Sequence, residues 1–163
     1  MGETDGADTE TRFLLDAMVG KLAVYLRVCG YDTAYALDRE IEADDEIVAL
    51  AEREDRRLLT RDIELADRID DALCLQSRDV TDQLAELADA GIDLDIAEEP
   101  TRCGRCNGIL LAVPPETKTP EYAPDHAEID CWRCQSCGQL FWKGSHYERM
   151  ADTIESVHKK TNG

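Results

Sequence analysis

Two short cysteine motifs, Cys103-Gly-Arg-Cys106-Asn-Gly108 and Cys134-Gln-Ser-Cys137-Gly138, constrain this chain more than any other feature. They are C-x-x-C knuckles 27 residues apart, a spacing at which four thiolates hold Zn²⁺ tetrahedrally while glycine permits the tight turn. The last third of the chain is therefore read as a small zinc-held module. Cys131 leaves an alternative open, because Cys131 and Cys134 also form a C-x-x-C pair. Gly138, and the apolar strand Leu140-Phe141-Trp142 beyond it, favour Cys134 and Cys137. The run Cys131-x-x-Cys134-x-x-Cys137 imitates part of an iron–sulfur motif but lacks a fourth Cys three residues later. The N-terminus MGETDGADTETR has neither the basic nor the apolar region of a signal peptide, and no apolar run approaches the ~20 residues of a membrane helix. A cytoplasmic setting with no membrane contact is expected, in which such cysteine pairs bind metal rather than form disulfides.

Upstream the pattern is of another kind. Phe13-Leu14-Leu15 reads as a buried strand ending at Asp16, followed by a helix in which Met18, Leu22, Leu26 and Cys29 recur at helical spacing and Gly30 caps the end. A second strand is expected over residues 32 to 37. A helix opened by Asp44-Asp45-Glu46 comes next, its acids favoured by the helix dipole. Arg57 to Thr60 is a third strand, residues 63 to 69 a short helix, Ala72 to Leu75 a fourth strand, and residues 80 to 90 a last helix stopped by Gly91. Strands alternating with helices predict an α/β fold with a mostly parallel sheet flanked by helices. The expected division is an acidic tail over 1–11, an α/β domain over 12–95, a linker over 96–102, a zinc ribbon over 103–150 with a Pro-rich excursion from Val113 to Pro124, and a C-terminal helix and tail over 151–163. Ser145-x-x-Glu148 fits a capping box for that helix.

Charge is distributed unevenly. Of 36 acids against 18 bases, residues 1–100 hold 28 and 10, so the whole net charge of −18 is N-terminal. With only five Lys, the surface has the composition expected of a protein from a high-salt cytoplasm, where net charge maintains solubility. Among these acids, Asp16, Asp62 and Asp79 lie just past predicted strand ends, and Asp44 with Asp45 opens a helix. In a parallel sheet ligands gather at that edge. Carboxylates converging there repel one another unless a cation joins them, and hard oxygen ligands select Mg²⁺ or Mn²⁺. Such a site suits phosphodiester hydrolysis. With 20 Asp in the chain, the bland reading is that Asp44 and Asp62 are helix-end acids and no more.

A third feature is Trp142-Lys143-Gly-Ser-His146-Tyr147 with Arg149, in the charge-neutral part of the chain. An aromatic beside cations at a helix start can stack a base and hold a phosphate. The competing reading makes Trp142 part of the ribbon core. Lys21 and Arg27 likewise read either as phosphate contacts or as a solvated helix face.

Taken together, Phe13-Leu-Leu-Asp16-Ala-Met-Val-Gly-Lys-Leu-Ala23, Leu26-Arg-Val-Cys-Gly-Tyr-Asp32, Asp44-Asp-Glu-Ile-Val-Ala-Leu-Ala51, Leu58-Leu-Thr-Arg-Asp62 and the two cysteine knuckles followed by Phe-Trp142-Lys-Gly-Ser-His146 resemble the Mut-seven C-terminal RNase domain family. That family is a branch of the PIN-like nucleases, and the resemblance covers residues 12 to 150. It implies a PIN-like fold followed by a zinc ribbon, and a Mg²⁺- or Mn²⁺-dependent ribonuclease acting on single-stranded or structured RNA. Asp16, Asp44 and Asp62 match the family's acids by position, with Asp45 beside them and Asp79 the loosest match. Arg61 and Lys21 become candidates for the phosphate, and Trp142, Lys143, His146 and Arg149 for docking the RNA. Val19 and Val24-Tyr25 depart from the family's pattern. A non-catalytic nucleic-acid adapter and a phosphatase on small phosphoesters remain as competing readings. A homodimer or a protein partner is left open.

Overall fold

A computed structural model of the chain describes residues 11–96, 99–114 and 130–162. The expected tail, apart from Thr11, lies outside the described residues, as do Ala97 and Glu98 of the linker and most of the Pro-rich excursion. Four strands, β1 (Arg12–Leu15), β2 (Asp32–Tyr35), β3 (Arg57–Thr60) and β4 (Ala72–Cys74), form a parallel sheet in the order β2-β1-β3-β4. The intervening helices are α1 (Gly20–Val28), α2 (Asp44–Arg53), α3 (Ile63–Asp67) and α4 (Val80–Asp89). Downstream, β5 (Leu110–Ala112), β6 (Cys131–Cys134) and β7 (Leu140–Trp142) make a separate antiparallel sheet, and α5 (Ser145–Asn162) closes the described chain.

The sheet is apolar on both faces because it is covered on both. Leu14 and Leu58 point into a core with Ile47 and Leu50 of α2 and Leu65 of α3. Phe13, Leu15 and Leu59 point the other way, onto Leu22 and Leu26 of α1, Leu84 and Leu87 of α4, and Ile154 and Val157 of α5. Alternation along a strand sends successive side chains to opposite layers, so Phe-Leu-Leu has no polar member. The C-terminal helix runs unbroken through residues 150 and 151, where a boundary was expected, and its apolar face completes the N-terminal core.

Three local expectations are corrected. The second strand stops at Tyr35, not at residue 37, because the chain turns through Ala36–Arg39 to a left-handed Glu40 (φ 57°). The first helix is preceded by a 3-10 turn over Ala17–Val19, and Met18 is 57% exposed instead of facing the core. A 3-10 turn advances about 120° per residue against about 100° in an α-helix, which breaks the phase with Leu22 and Leu26. At the start of α5 the Glu148 N–H donates to the Gly144 carbonyl (3.0 Å), so Ser145 is already inside the helix.

Candidate functional site

Because all four strands are parallel, their C-terminal ends share one edge. The connections diverge between β1 and β3, the position where open α/β sheets form a crevice. Asp16 follows β1 and is only 6% exposed. Its Oδ1 accepts the Met18 N–H (3.1 Å), and its Oδ2 accepts the Thr60 hydroxyl from the end of β3. The same Thr60 oxygen accepts the Asp62 N–H (3.0 Å). Thr60 thus ties the Asp16 carboxylate to the backbone of Asp62. Asp62 caps α3, its Oδ1 accepting from the Glu64 and Leu65 N–H groups at 3.0 and 3.3 Å.

Burial pushes the Asp16 carboxyl above its usual range. The Thr60 and Met18 hydrogen bonds oppose this shift, while the charges of Asp62 and Asp44 add to it. Asp44 is exposed in the first turn of α2. Its neighbour Asp45 turns to Arg68, with Nη2 2.6 Å from Oδ1. Asp79 caps α4 through the Thr81 N–H (3.0 Å). Beside Asp62, Arg61 is half-buried with an Nε that has no hydrogen-bond partner among the described residues. Lys21 is exposed on the first turn of α1. Arg27 is corrected: at 3% exposure it is no phosphate contact, its guanidinium donating to the Thr33 and Gly104 carbonyls at 2.9 and 3.0 Å.

The thiols are gathered far more closely. The Sγ atoms of Cys103, Cys106, Cys134 and Cys137 all lie within 4.8 Å of one another, and among the described residues no three carboxylates do so. Cys103 and Cys137 are 3.8 Å apart, near the ~3.8 Å edge of a tetrahedron with Zn–S bonds of about 2.3 Å. These four cysteines can hold a structural metal such as zinc. Cys131 is buried in β6 and stands outside the group. Residues 131 and 134 are three apart on one strand and so face opposite sides of it. Although burial opposes ionisation of Cys134, the N–H groups of Cys137 and Ser136 bring its thiol down to about 7.

Gly138 takes the left-handed turn of the second knuckle (φ 77°), whereas in the first knuckle Asn107 does so (φ 74°). Gly108 serves close approach instead: a Cβ there would meet the Cys134 Sγ at 2.6 Å. Asn107 also reaches the large sheet, its Oδ1 accepting the Thr33 N–H (2.9 Å) and its Nδ2 donating to the Asp32 Oδ1 (2.7 Å). Asn107 and Thr60 are the two organising residues that sequence reasoning missed. Their spacing to a neighbouring carboxylate or knuckle was visible, but their partners come from distant strands.

In the aromatic segment, Trp132, Phe141 and Tyr147 form a chain with centroids 6.3 and 6.2 Å apart, and the Lys143 ammonium sits 5.5 Å from the Tyr147 ring centre. Trp142 is half-buried and Arg149 exposed. The side chain of His146 lies outside the described residues. No described helix is long and apolar enough to cross a membrane.

No curated protein and no solved structure matches the chain. The family model of the Mut7-C RNAse domain matches residues 11–154, most of the chain. The chain belongs to the Mut7-C RNAse domain family, a family of nuclease type.

Proposed function

We propose that the protein is a metal-dependent ribonuclease of PIN-like type that hydrolyses RNA phosphodiester bonds at the C-terminal edge of the parallel sheet. The carrying observation is Asp16, a buried carboxylate at that edge whose Thr60 partner also accepts the Asp62 N–H, so that one hydroxyl ties the two acids together. Hard oxygen donors of one sign are the donor set that Mg²⁺ or Mn²⁺ fits, and Asp16, Asp44 and Asp62 would hold one or two such ions. A bound divalent ion supplies an activated water and charge neutralisation at the leaving oxygen.

The remaining work falls to the chain itself. Thr60 orients Asp16 by donating its hydroxyl, and the first turn of α3 fixes Asp62 by taking one of its oxygens. Arg61, with an unsatisfied Nε, is the nearest side chain in sequence to Asp62 that can meet a phosphate, and Lys21 is exposed for the same role. Asp45 and Asp79 are the outer acids of this reading, Asp45 paired with Arg68 and Asp79 capping α4 as Asp62 caps α3. The ribbon, held by zinc at Cys103, Cys106, Cys134 and Cys137, would dock RNA through Trp142, Lys143, His146 and Arg149.

One observation favours a second reading, a non-catalytic nucleic-acid adapter: only the thiolates are gathered within metal-ligand reach among the described residues. Cleavage of end-labelled RNA in high salt, with Mn²⁺ or with EDTA, separates the two. Mn²⁺-dependent cuts that disappear in Asp16→Asn and Asp62→Asn, both still folded, support the nuclease. Full activity in both variants overturns the assignment of these residues, and zinc-loaded protein that binds RNA without cutting it establishes the adapter.

A further inference from the structure

Asp16 is held at two points, and only one of them belongs to a strand. Its Oδ2 takes the hydroxyl of Thr60 from β3, whereas its Oδ1 takes the N–H of Met18, inside the three-residue 3-10 turn over Ala17–Val19. That turn is short and its first two residues are exposed, so its own bonds constrain it weakly. Tyr35, the last residue of β2, lies against it. Tyr35 pairs with Leu15, one residue before Asp16, and its ring packs on the core that α1 covers. Beyond that core the Tyr35 hydroxyl donates to the Ala17 carbonyl at 3.3 Å. Gly20, directly after the turn, leaves space for this contact. Its backbone is ordinary right-handed helix (φ −60°, ψ −36°), which any residue adopts, yet a Cβ there would meet the Tyr35 Oη at 2.6 Å and its Cζ at 2.7 Å. Alanine suits a helix better than glycine does, so what glycine provides at this position is room.

We infer that Tyr35 is a positioning residue for Asp16: by clamping the Ala17–Val19 turn it keeps the Met18 N–H on one carboxylate oxygen, and so fixes how that carboxylate faces a metal. The inference rests on the metal-dependent reading of the site and deepens it. Held by Thr60 alone, the carboxylate can swing about one bond, whereas the Met18 N–H on the other oxygen sets its plane. Groups that orient a metal ligand govern affinity nearly as much as the ligand itself. The Tyr35 hydroxyl makes its bond to the turn, so its loss acts on the geometry of Asp16 through Met18. Burial, with the charges of Asp38 and Asp16, pushes the phenol above its ordinary range and keeps the hydroxyl a donor. The core requires only the ring, which a phenylalanine would supply equally well.

The test uses the full zinc-loaded chain with Tyr35→Phe, Gly20→Ala and the double variant, and a melt verifies that each is folded. Exchange of the Met18 amide with water is followed by NMR. Mn²⁺ affinity is read by titration calorimetry, with Asp16→Asn as the reference for the carboxylate site, and RNA cleavage is measured at limiting and at saturating Mn²⁺. In Tyr35→Phe the Met18 amide is expected to exchange about two- to tenfold faster and the Mn²⁺ Kd to rise by a similar factor, the range for one lost hydrogen bond. Cleavage lost at limiting Mn²⁺ should return at saturating Mn²⁺, with KM for RNA unmoved, a pattern that a general loss of stability does not produce. Gly20→Ala turns the Tyr35 ring away and should give the same pair of changes, and the double variant should add little to either single one, because both remove one contact. Unchanged Met18 exchange in Tyr35→Phe and Gly20→Ala overturns the clamp. Faster exchange at a wild-type Mn²⁺ Kd overturns it as well, since the turn would then have no bearing on the site. Should the wild-type chain bind Mn²⁺ no better than Asp16→Asn, the metal-dependent reading fails separately. Met18 exchange then decides the clamp by itself, faster exchange upholding it and unchanged exchange overturning it.

Discussion

Asp16 sits in a conflict that its neighbours create. A carboxyl of raised pKa gives its full contribution to stability below the unfolded value, near 3.8, and that contribution is lost as pH rises through the folded pKa. Asp16→Asn cannot ionise and keeps an oxygen for the Thr60 hydroxyl. It is therefore expected to be more stable than the wild type at pH 7, with the gap closing as pH falls towards 4. Urea unfolding at both pH values measures this, and equal stability at pH 7 counts against the strain. Added Mn²⁺ should raise the melting temperature of the wild type and leave the variant unmoved. Asp16 was legible in sequence as the acid that ends an apolar run. Thr60 was not, because only the pairing of β1 with β3 sets its hydroxyl on Asp16.

At the scale of elements, the first knuckle does two jobs. Its left-handed Asn107 closes the turn, and the same side chain satisfies the outer edge of β2 at Thr33 and Asp32. Arg27 and Arg102 strengthen that junction, Arg27 bridging Thr33 to Gly104 and Arg102 lying 3.6 Å from Asp32. Asn107→Gly keeps the backbone turn and removes the bonds, costing about 1.5–3 kcal/mol because one partner is charged. Asn107→Ala adds about 1 kcal/mol for the left-handed conformation. Chemical denaturation of the two variants measures both losses, and equal stability of Gly and Ala would remove the conformational part of the account. The knuckle spacing foretold the four thiolates. It could not say that Asn rather than Gly makes the turn, since Asn adopts this conformation only at a cost that local bonds offset.

On the scale of the whole molecule, the ribbon and the sheet stabilise each other. The chain leaves the ribbon through α5, whose Ile154 and Val157 are buried beside Leu22 and Leu84. Stripping metal from the thiolates is expected to lower the melting temperature followed at the helices of the sheet, and not only at the ribbon. A far-UV melt with and without a strong chelator reads this, and an unchanged helical transition would show the two units to be independent. The net charge of −18 predicts a second dependence. Raising KCl from about 0.1 M to about 1 M shortens the Debye length from about 10 Å to about 3 Å and should stabilise the fold by screening self-repulsion. A chain that is fully folded in dilute buffer and gains nothing from salt would contradict the proposed salt adaptation.

Much of the architecture is written in local pattern. Short apolar runs ended by Asp or Thr-Arg-Asp, helices begun by acids and stopped by Gly30 and Gly91, and paired cysteines at fixed spacing each report an element through its own neighbours. These signals extend over one turn or one strand, so the sequence by itself determined the βα alternation, the parallel sheet and the cysteine cluster. Which strands adjoin, and hence which side chains share an edge, depends on burial summed over residues far apart. Only the tertiary structure decided that Thr60 joins Asp16 to Asp62, that Arg27 is interior, that Cys131 stands outside the thiolate group, and that Met18 faces water beside a carboxylate.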